Sequence, residues 1–345
     1  MSTILTPETA SERADARTNV PEPEVRRFAR SAVAFLIVGL VVYAALYTAA
    51  EWLVYEHAER NRFYTVQTAS EQRYDYVILG ASHAAVFDYR DMNARLEEMA
   101  GADILNLATV GGGITPNRLF LDYFFQERET DAVIYVLDSF AFYSSEWNED
   151  RLQDTELYVR APWDPGLAAL LVRNPATRPV ALDYISGFSK INNPDRFEPD
   201  LFDAEGATFD RRYRPIAQID RQRMQYLYPG EITESDLDES PYLGEFEDLV
   251  ESVQARGARF IVIRPPVPQR IYEMLPGEEH FDATIRGILA EHGAELYDFK
   301  FVNNDPELFY DSDHLNEAGV LSFYENHLAD VLRQDAIASA PDRSE

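Results

Sequence analysis

The twenty residues from Ser31 to Ala50, SAVAFLIVGLVVYAALYTAA, carry no charge, and no other feature constrains the fold of this chain as strongly. At about 1.5 Å per residue such a helix matches a hydrocarbon core about 30 Å thick, and it has no polar face to turn toward water. Residues 31–50 are therefore expected to cross a lipid bilayer. Arg26, Arg27 and Arg30 precede the run, and Trp52 and Tyr55 follow it. That order predicts a single-pass anchor of the cytoplasmic (inner) membrane, with the N-terminus inside and the rest of the chain periplasmic or extracellular. A signal peptide cleaved after Thr48-Ala49-Ala50 is the alternative, but the apolar run is longer than such segments usually are. Residues 1–30 are expected to form a disordered cytoplasmic tail, 51–72 a stalk, 73–335 one globular domain, and 336–345 a second disordered tail.

Acidic residues number 60 against 31 basic ones, for a formal charge of -29. Long-range repulsion then excludes nucleic acid as a partner held by bulk attraction. There is no cysteine, which removes disulfides, thiolate metal sites and cysteine nucleophiles from consideration.

Beyond the stalk, short apolar runs alternate with helical patterns. Tyr76-Val77-Ile78-Leu79 ends at Gly80, with a helix expected over 84–99. Residues 103–107 and 132–137 give two more strands, and helix 244–255 leads into strand 259–263. Helix 281–291 then precedes a last strand at 295–298. Strands that are apolar throughout and alternate with helices predict an α/β fold: a three-layer α/β/α sandwich around a central parallel sheet of about five strands. Residues 139–240 interrupt the alternation and read as an insertion in one domain.

Two segments carry chemistry. Ser82 follows the first strand through Gly80-Ala81 and opens a helix, where unpaired backbone N–H groups can stabilise an oxyanion. Asp311 and His314, three apart after the last strand, can form a carboxylate–imidazole hydrogen bond that leaves the far ring nitrogen for a nucleophile. Gly-x-Ser after the first strand, with Asp-x-x-His-Leu-Asn-x-x-Gly after the last, resembles blocks I and V of the SGNH (GDSL-like) hydrolase superfamily.

That resemblance, over roughly residues 75–138 and 258–333, implies a flavodoxin-like sheet and a triad of Ser82, His314 and Asp311. It also implies an oxyanion hole from the Ser82 N–H and a glycine N–H at Gly111, Gly112 or Gly113. Block III departs from the family, because Leu137-Asp138-Ser139-Phe140 stands where its asparagine donor would be. A side chain of the insertion is one candidate replacement. His83, Asp138 and Ser139 are the expected substrate-binding residues.

The anchor and the altered block III look like the divergent branch that includes alginate and exopolysaccharide O-acetyltransferases and D-alanine transfer proteins. The resemblance implies O-acylation of a cell-envelope polysaccharide, with a multispanning membrane-bound O-acyltransferase as partner and no cofactor. A membrane-anchored carbohydrate esterase, deacetylase or lipase-like hydrolase is the alternative within enzymes. A catalytically silent assembly or glycan-binding subunit is the alternative outside them.

Other candidates carry less. Asp313 would have to fold back to replace Asp311. His280, His292 and His327 lack metal-ligand spacing, so no metal site is expected. Arg211, Arg212 and Arg214 are expected to pair locally, and Phe140, Phe142, Tyr143 and Trp147 to pack in the core or a lid.

Overall fold

A computed structural model describes residues 22–58, 60–199 and 201–339. The chain divides after Ala50 into two units. The first is the apolar part of one helix, Glu22–His57, with a mean hydropathy of 2.3 over its most apolar stretch. It is the one described helix long and apolar enough to cross a membrane, and its Phe35, Leu36 and Leu40 are exposed. Residues 22–30, expected to be disordered, belong to this helix, because Glu24 to Arg30 contain no breaker that would stop it growing outward from the apolar run. The expectation for 1–21 lies outside the described residues.

The second unit holds five parallel strands: β1 (Arg73–Gly80), β2 (Ile104–Asn106), β3 (Glu129–Val136), β4 (Arg259–Arg264) and β5 (Glu295–Asp298). Their order is β2-β1-β3-β4-β5. Alternate residues of each central strand feed two separate apolar clusters. Val77, Leu79, Val133 and Tyr135 join one with Phe124, Phe246 and Phe281. Tyr76, Ile78, Ile134 and Val136 join the other with Leu96, Phe323 and Leu332. Both faces are thus apolar, which explains why these strands lack a polar alternation.

The strand order locates the site. From β1 the chain moves outward to β2 and then returns across β1 to β3, so the connections leave these two strands in opposite directions and open a crevice at their carboxyl ends. Ser82 follows β1 and Asp138 follows β3, one on each side of that crevice.

Several boundaries differ from the pattern-based ones. The single helix expected over 84–99 is split into Ser82–Ala85, a 3-10 turn Val86–Asp88 and Met92–Ala100. Phe87 and Tyr89 are both buried, at 1% and 0% exposure, although two residues apart they would face opposite sides of a helix. The chain turns to bury both, and Arg90 takes a left-handed φ of 55°. The insertion is largely helical, and two of its prolines sit at the starts of helices Pro165–Arg173 and Arg178–Ser186, where a missing N–H costs nothing. Residues 336–339, assigned to a tail, continue the helix Ala329–Ser339.

Candidate active site

At Gly80 the backbone has φ 144°, and a Cβ there would lie 2.8 Å from Ala84 Cβ and 2.9 Å from Val136 O. Glycine is the residue that permits this turn, and the turn delivers Ser82 to the first position of a short helix. The Ser82 N–H has no acceptor within the helix and donates to nothing else among the described residues.

The other half of the site is a closed loop. Asp311 Oδ1 accepts the backbone N–H of Asp313 (3.1 Å) and of His314 (2.8 Å), while Oδ2 lies 2.8 Å from His314 Nδ1. A spacing of three positions between carboxylate and imidazole is what such a turn requires. Asn316 caps the following helix through the Gly319 N–H (2.9 Å) and donates to Glu307 O (2.7 Å). Gly319 abuts Leu308 O too closely for any side chain. The Leu-Asn-x-x-Gly sequence thus anchors the loop.

These two halves meet. His314 Nε2 lies 2.7 Å from Ser82 Oγ, across 232 residues of sequence, and both side chains are buried. Burial works against a charged imidazole, but Asp311 and Asp313 outweigh it and raise His314 to about 9. Asp311 is shifted the opposite way. Burial opposes its charge as well, and the His314 imidazole and backbone N–H hold it well below the usual carboxylate range.

Asp313, set aside in favour of Asp311 as the orienting acid, occupies the floor of the site. It is 1% exposed, and Arg223 Nε donates to both its oxygens at 3.1 and 3.0 Å. Arg223 Nη2 also lies 3.3 Å from His314 Nε2. The insertion thus places a guanidinium beside the nitrogen that faces Ser82. Sequence reasoning left this side chain unnamed, because nothing in the pattern of helix Ala217–Leu227 marks Arg223 among its neighbours.

On the other side of Ser82 a second histidine–aspartate pair forms. His83 Nδ1 lies 2.6 Å from Asp138 Oδ1, and the His83 and His314 rings are 4.6 Å apart. His83 Nε2 and Asp138 Oδ2 are buried without hydrogen-bond partners. Both residues line a cavity of about 30 Å³ together with Asp313 and Ser139. Ser139, expected to touch substrate, spends its hydroxyl on Tyr228 (2.6 Å) and Glu278, the latter also bound to Arg264.

The glycine loop narrows one expectation. Gly112 N–H donates to Thr109 O (3.0 Å) and Gly113 N–H to Trp147 O (2.7 Å), so neither is available to an oxyanion. Of the three, Gly111 alone keeps an N–H with no acceptor among the described residues, and its φ of 69° explains the glycine. Asn117, fully buried and not anticipated, ties this loop to the turn at Gly80. Its side chain donates to Gly113 O (2.7 Å) and Gly112 O (3.3 Å) and accepts the Gly80 N–H (2.9 Å).

Metal-ligating atoms of His83, Asp313 and His314 lie within 4.8 Å of one another. Two of the three are already engaged, Asp313 by Arg223 and His314 by Ser82, so a cation would have to displace a guanidinium and a hydroxyl. The remaining histidines lie elsewhere: His280 pairs with Asp238 (2.7 Å) and His292 with Glu247 (2.9 Å), while His327 packs beside Phe299 and His57 beside Phe197. Arg212 pairs with Glu307 at the surface, and Phe140, Phe142 and Trp147 are core residues. Scanned against protein-family models and compared with the curated proteins, the chain matches none of them.

Proposed function

We propose that this protein is a membrane-anchored SGNH-type serine acyltransferase. Its globular unit would be a three-layer α/β/α sandwich, held outside the cytoplasmic membrane by residues 31–50 with the N-terminus inside. The observation that carries the reading is the 2.7 Å approach of His314 Nε2 to Ser82 Oγ, with Asp311 on the other ring nitrogen.

In the first half-reaction Ser82 Oγ bonds to an acyl carbonyl carbon as its proton passes to His314 Nε2. His314 then protonates the leaving group and the acyl-enzyme remains. In the second, an acceptor hydroxyl gives its proton to His314, its oxygen bonds to the acyl carbon, and Ser82 Oγ departs and regains a proton. The Ser82 and Gly111 N–H groups are the free donors for the oxyanion, and Arg223 supplies the positive charge that the missing block III asparagine does not. The acceptor in this reading is a cell-envelope polysaccharide, and a multispanning O-acyltransferase is the partner that delivers acetyl or another acyl group.

Hydrolysis is the second reading. The cavity of about 30 Å³ beside His83 and Asp138 has the size of one water molecule, which would make water the acceptor of an anchored esterase.

The test uses the full-length protein in neutral detergent. An activated phosphonate should give a single adduct mapping to Ser82 and none in Ser82→Ala; equal labelling of the two would overturn the reading. An acetyl ester supplied with and without oligosaccharide then separates the acceptors, since free acetate as sole product in both cases favours the esterase.

A further inference from the structure

We propose a second binding site in this protein, for a phosphate-bearing amphiphile, in a half-open cavity of about 610 Å³ bounded by the stalk, the loop after β2, Phe120 and the insertion. The inference does not depend on the acyl-transfer reading. The volume falls in the range of small-ligand pockets, roughly 300–1,000 Å³.

Four arginines line the cavity, Arg60, Arg62, Arg151 and Arg160, in a chain where acidic residues outnumber basic ones about two to one. Six carboxylates on and behind the wall outnumber them, so any site for an anion rests on individual donors and not on net charge. Glu156, Asp195 and Glu198 share the wall. Arg60, Arg62 and Arg151 pair with Asp203 (3.5 Å), Asp88 (2.8 Å) and Asp154. Arg160 donates to the backbone of Asp195 and Glu198.

These contacts leave two donors over. Arg62 is 3% exposed; its Nε donates to Ala108 O and its Nη1 to Asp88 and Asn106 O, but its Nη2 is buried with no partner. Arg151 Nε is in the same condition. Buried guanidinium N–H groups without acceptors are costly, and they mark where a polar ligand would be favoured.

The chemistry selects the ligand class. A phosphate offers several oxygens and can accept from two arginines at once, which a single neutral acceptor cannot. The cavity is far larger than phosphate, and Val110, Phe120, Leu157 and Phe202 give it apolar wall, so the ligand carries an apolar part. Arg60 and Arg62 follow Ala50, the last residue of the apolar run, by ten and twelve residues, the first seven of them helical, a reach of no more than about 30 Å. That places the arginines within reach of a phospholipid headgroup layer. A soluble phosphate ester with an apolar portion shares the same chemistry. The wall also touches the candidate active site, because Thr109 lines the cavity and donates to Gly80 O at 3.2 Å, two residues before Ser82.

The test titrates full-length protein in neutral detergent with three probes: dihexanoylphosphatidylglycerol, glycerol 3-phosphate and uncharged dihexanoylglycerol. Calorimetry reads affinity, and thermal unfolding reads the fold. Phosphatidylglycerol is expected to bind at least about tenfold more tightly than dihexanoylglycerol, and to lose about tenfold in Arg151→Gln. Arg62→Gln removes contacts to Ala108, Asn106 and Asp88 and serves only if its unfolding temperature is retained; Arg60→Gln is the second variant. Glycerol 3-phosphate binding as tightly as the lipid assigns the site to a soluble ester, and much weaker binding assigns it to membrane lipid. Equal affinity for dihexanoylglycerol, no binding of either phosphate probe, or unchanged affinity in both Arg151→Gln and Arg60→Gln overturns the proposal.

Discussion

Two histidine–aspartate pairs flank one serine, and they are built differently. His314 and Asp311 share a tight loop, and the far nitrogen of His314 rests on the Ser82 hydroxyl. His83 and Asp138 come from the ends of adjacent strands, and the far nitrogen of His83 lies 3.5 Å from Asp313 Oδ2 without a hydrogen bond. The same two side chains therefore have different consequences. On the acyl-transfer reading, His314, whose free nitrogen already holds the Ser82 hydroxyl, would serve the first bond-forming step. On the same reading, the His83–Asp138 pair, which borders a cavity of about 30 Å³ with Asp313, would hold the oxygen that arrives second.

The sharpest way to break this comparison is to remove the atom both pairs surround. Ser82→Ala is expected to lower the rate of acyl release from an activated ester by about 10⁴-fold or more, since members of such a unit fail together. Asp311→Asn should come close behind, at about 10³- to 10⁴-fold, because it disturbs the tautomer that presents Nε2 to Ser82. Asp138→Asn should cost about tenfold at most in the burst of acyl-enzyme formation, and more in the turnover that follows. Stopped-flow kinetics with a chromogenic acetyl ester separates the two phases. Equal loss of the burst in both aspartate variants would erase the distinction between the pairs.

How far the sequence reveals these parts follows from chain distance. The Asp311–His314 pair is encoded locally, as three-residue spacing, a cap at Asn316 and a close-packed Gly319, and the turn at Gly80 is equally local. The apolar runs also disclose the parallel sheet, because strands covered on both faces have no alternation to obscure them. The second pair, the Arg223–Asp313 contact and the Asn117 bridge depend on residues 37 to 90 positions apart that meet only when the crossovers and the insertion have folded. Gly111, Gly112 and Gly113 look identical in the sequence; only the backbone bonds of the second and third separate them from the first.

Arg223 sharpens the comparison from a third side. Its guanidinium lies on the His314 side of the site, and its charge lowers the proton affinity that Asp311 and Asp313 raise. With His314 shifted to about 9, the acylation rate of the wild type is expected to climb with pH and level off above that value, because only the neutral imidazole accepts the Ser82 proton. Arg223→Gln should carry the rise to higher pH, with a loss of about tenfold at neutral pH per unit of displacement. A pH–rate profile of kcat/KM on both proteins measures it. An unchanged midpoint would remove Arg223 from the electrostatics of the site.

The smallest effect is on stability, and its sign follows from the same shift. His314 is raised from an ordinary value of 6.5 to about 9 in the folded protein. A group held more firmly protonated when folded contributes stability that is complete below about 6.5 and disappears as pH rises through about 9. Asp311, shifted downward, acts at the opposite end: its contribution is present above its ordinary 3.8 and is lost only as the pH falls into the acid range. Between these limits both contribute, and the loop is held from each side by the charge of the other. Denaturant unfolding of the full-length protein in detergent, measured from pH 6 to pH 10, is therefore expected to show a midpoint that declines between about pH 6.5 and about pH 9 and levels off above. His314→Gln should flatten that decline while starting from a lower midpoint at pH 6. An identical slope in the two proteins would mean that the imidazole resting on Ser82 is not the group whose proton the fold retains.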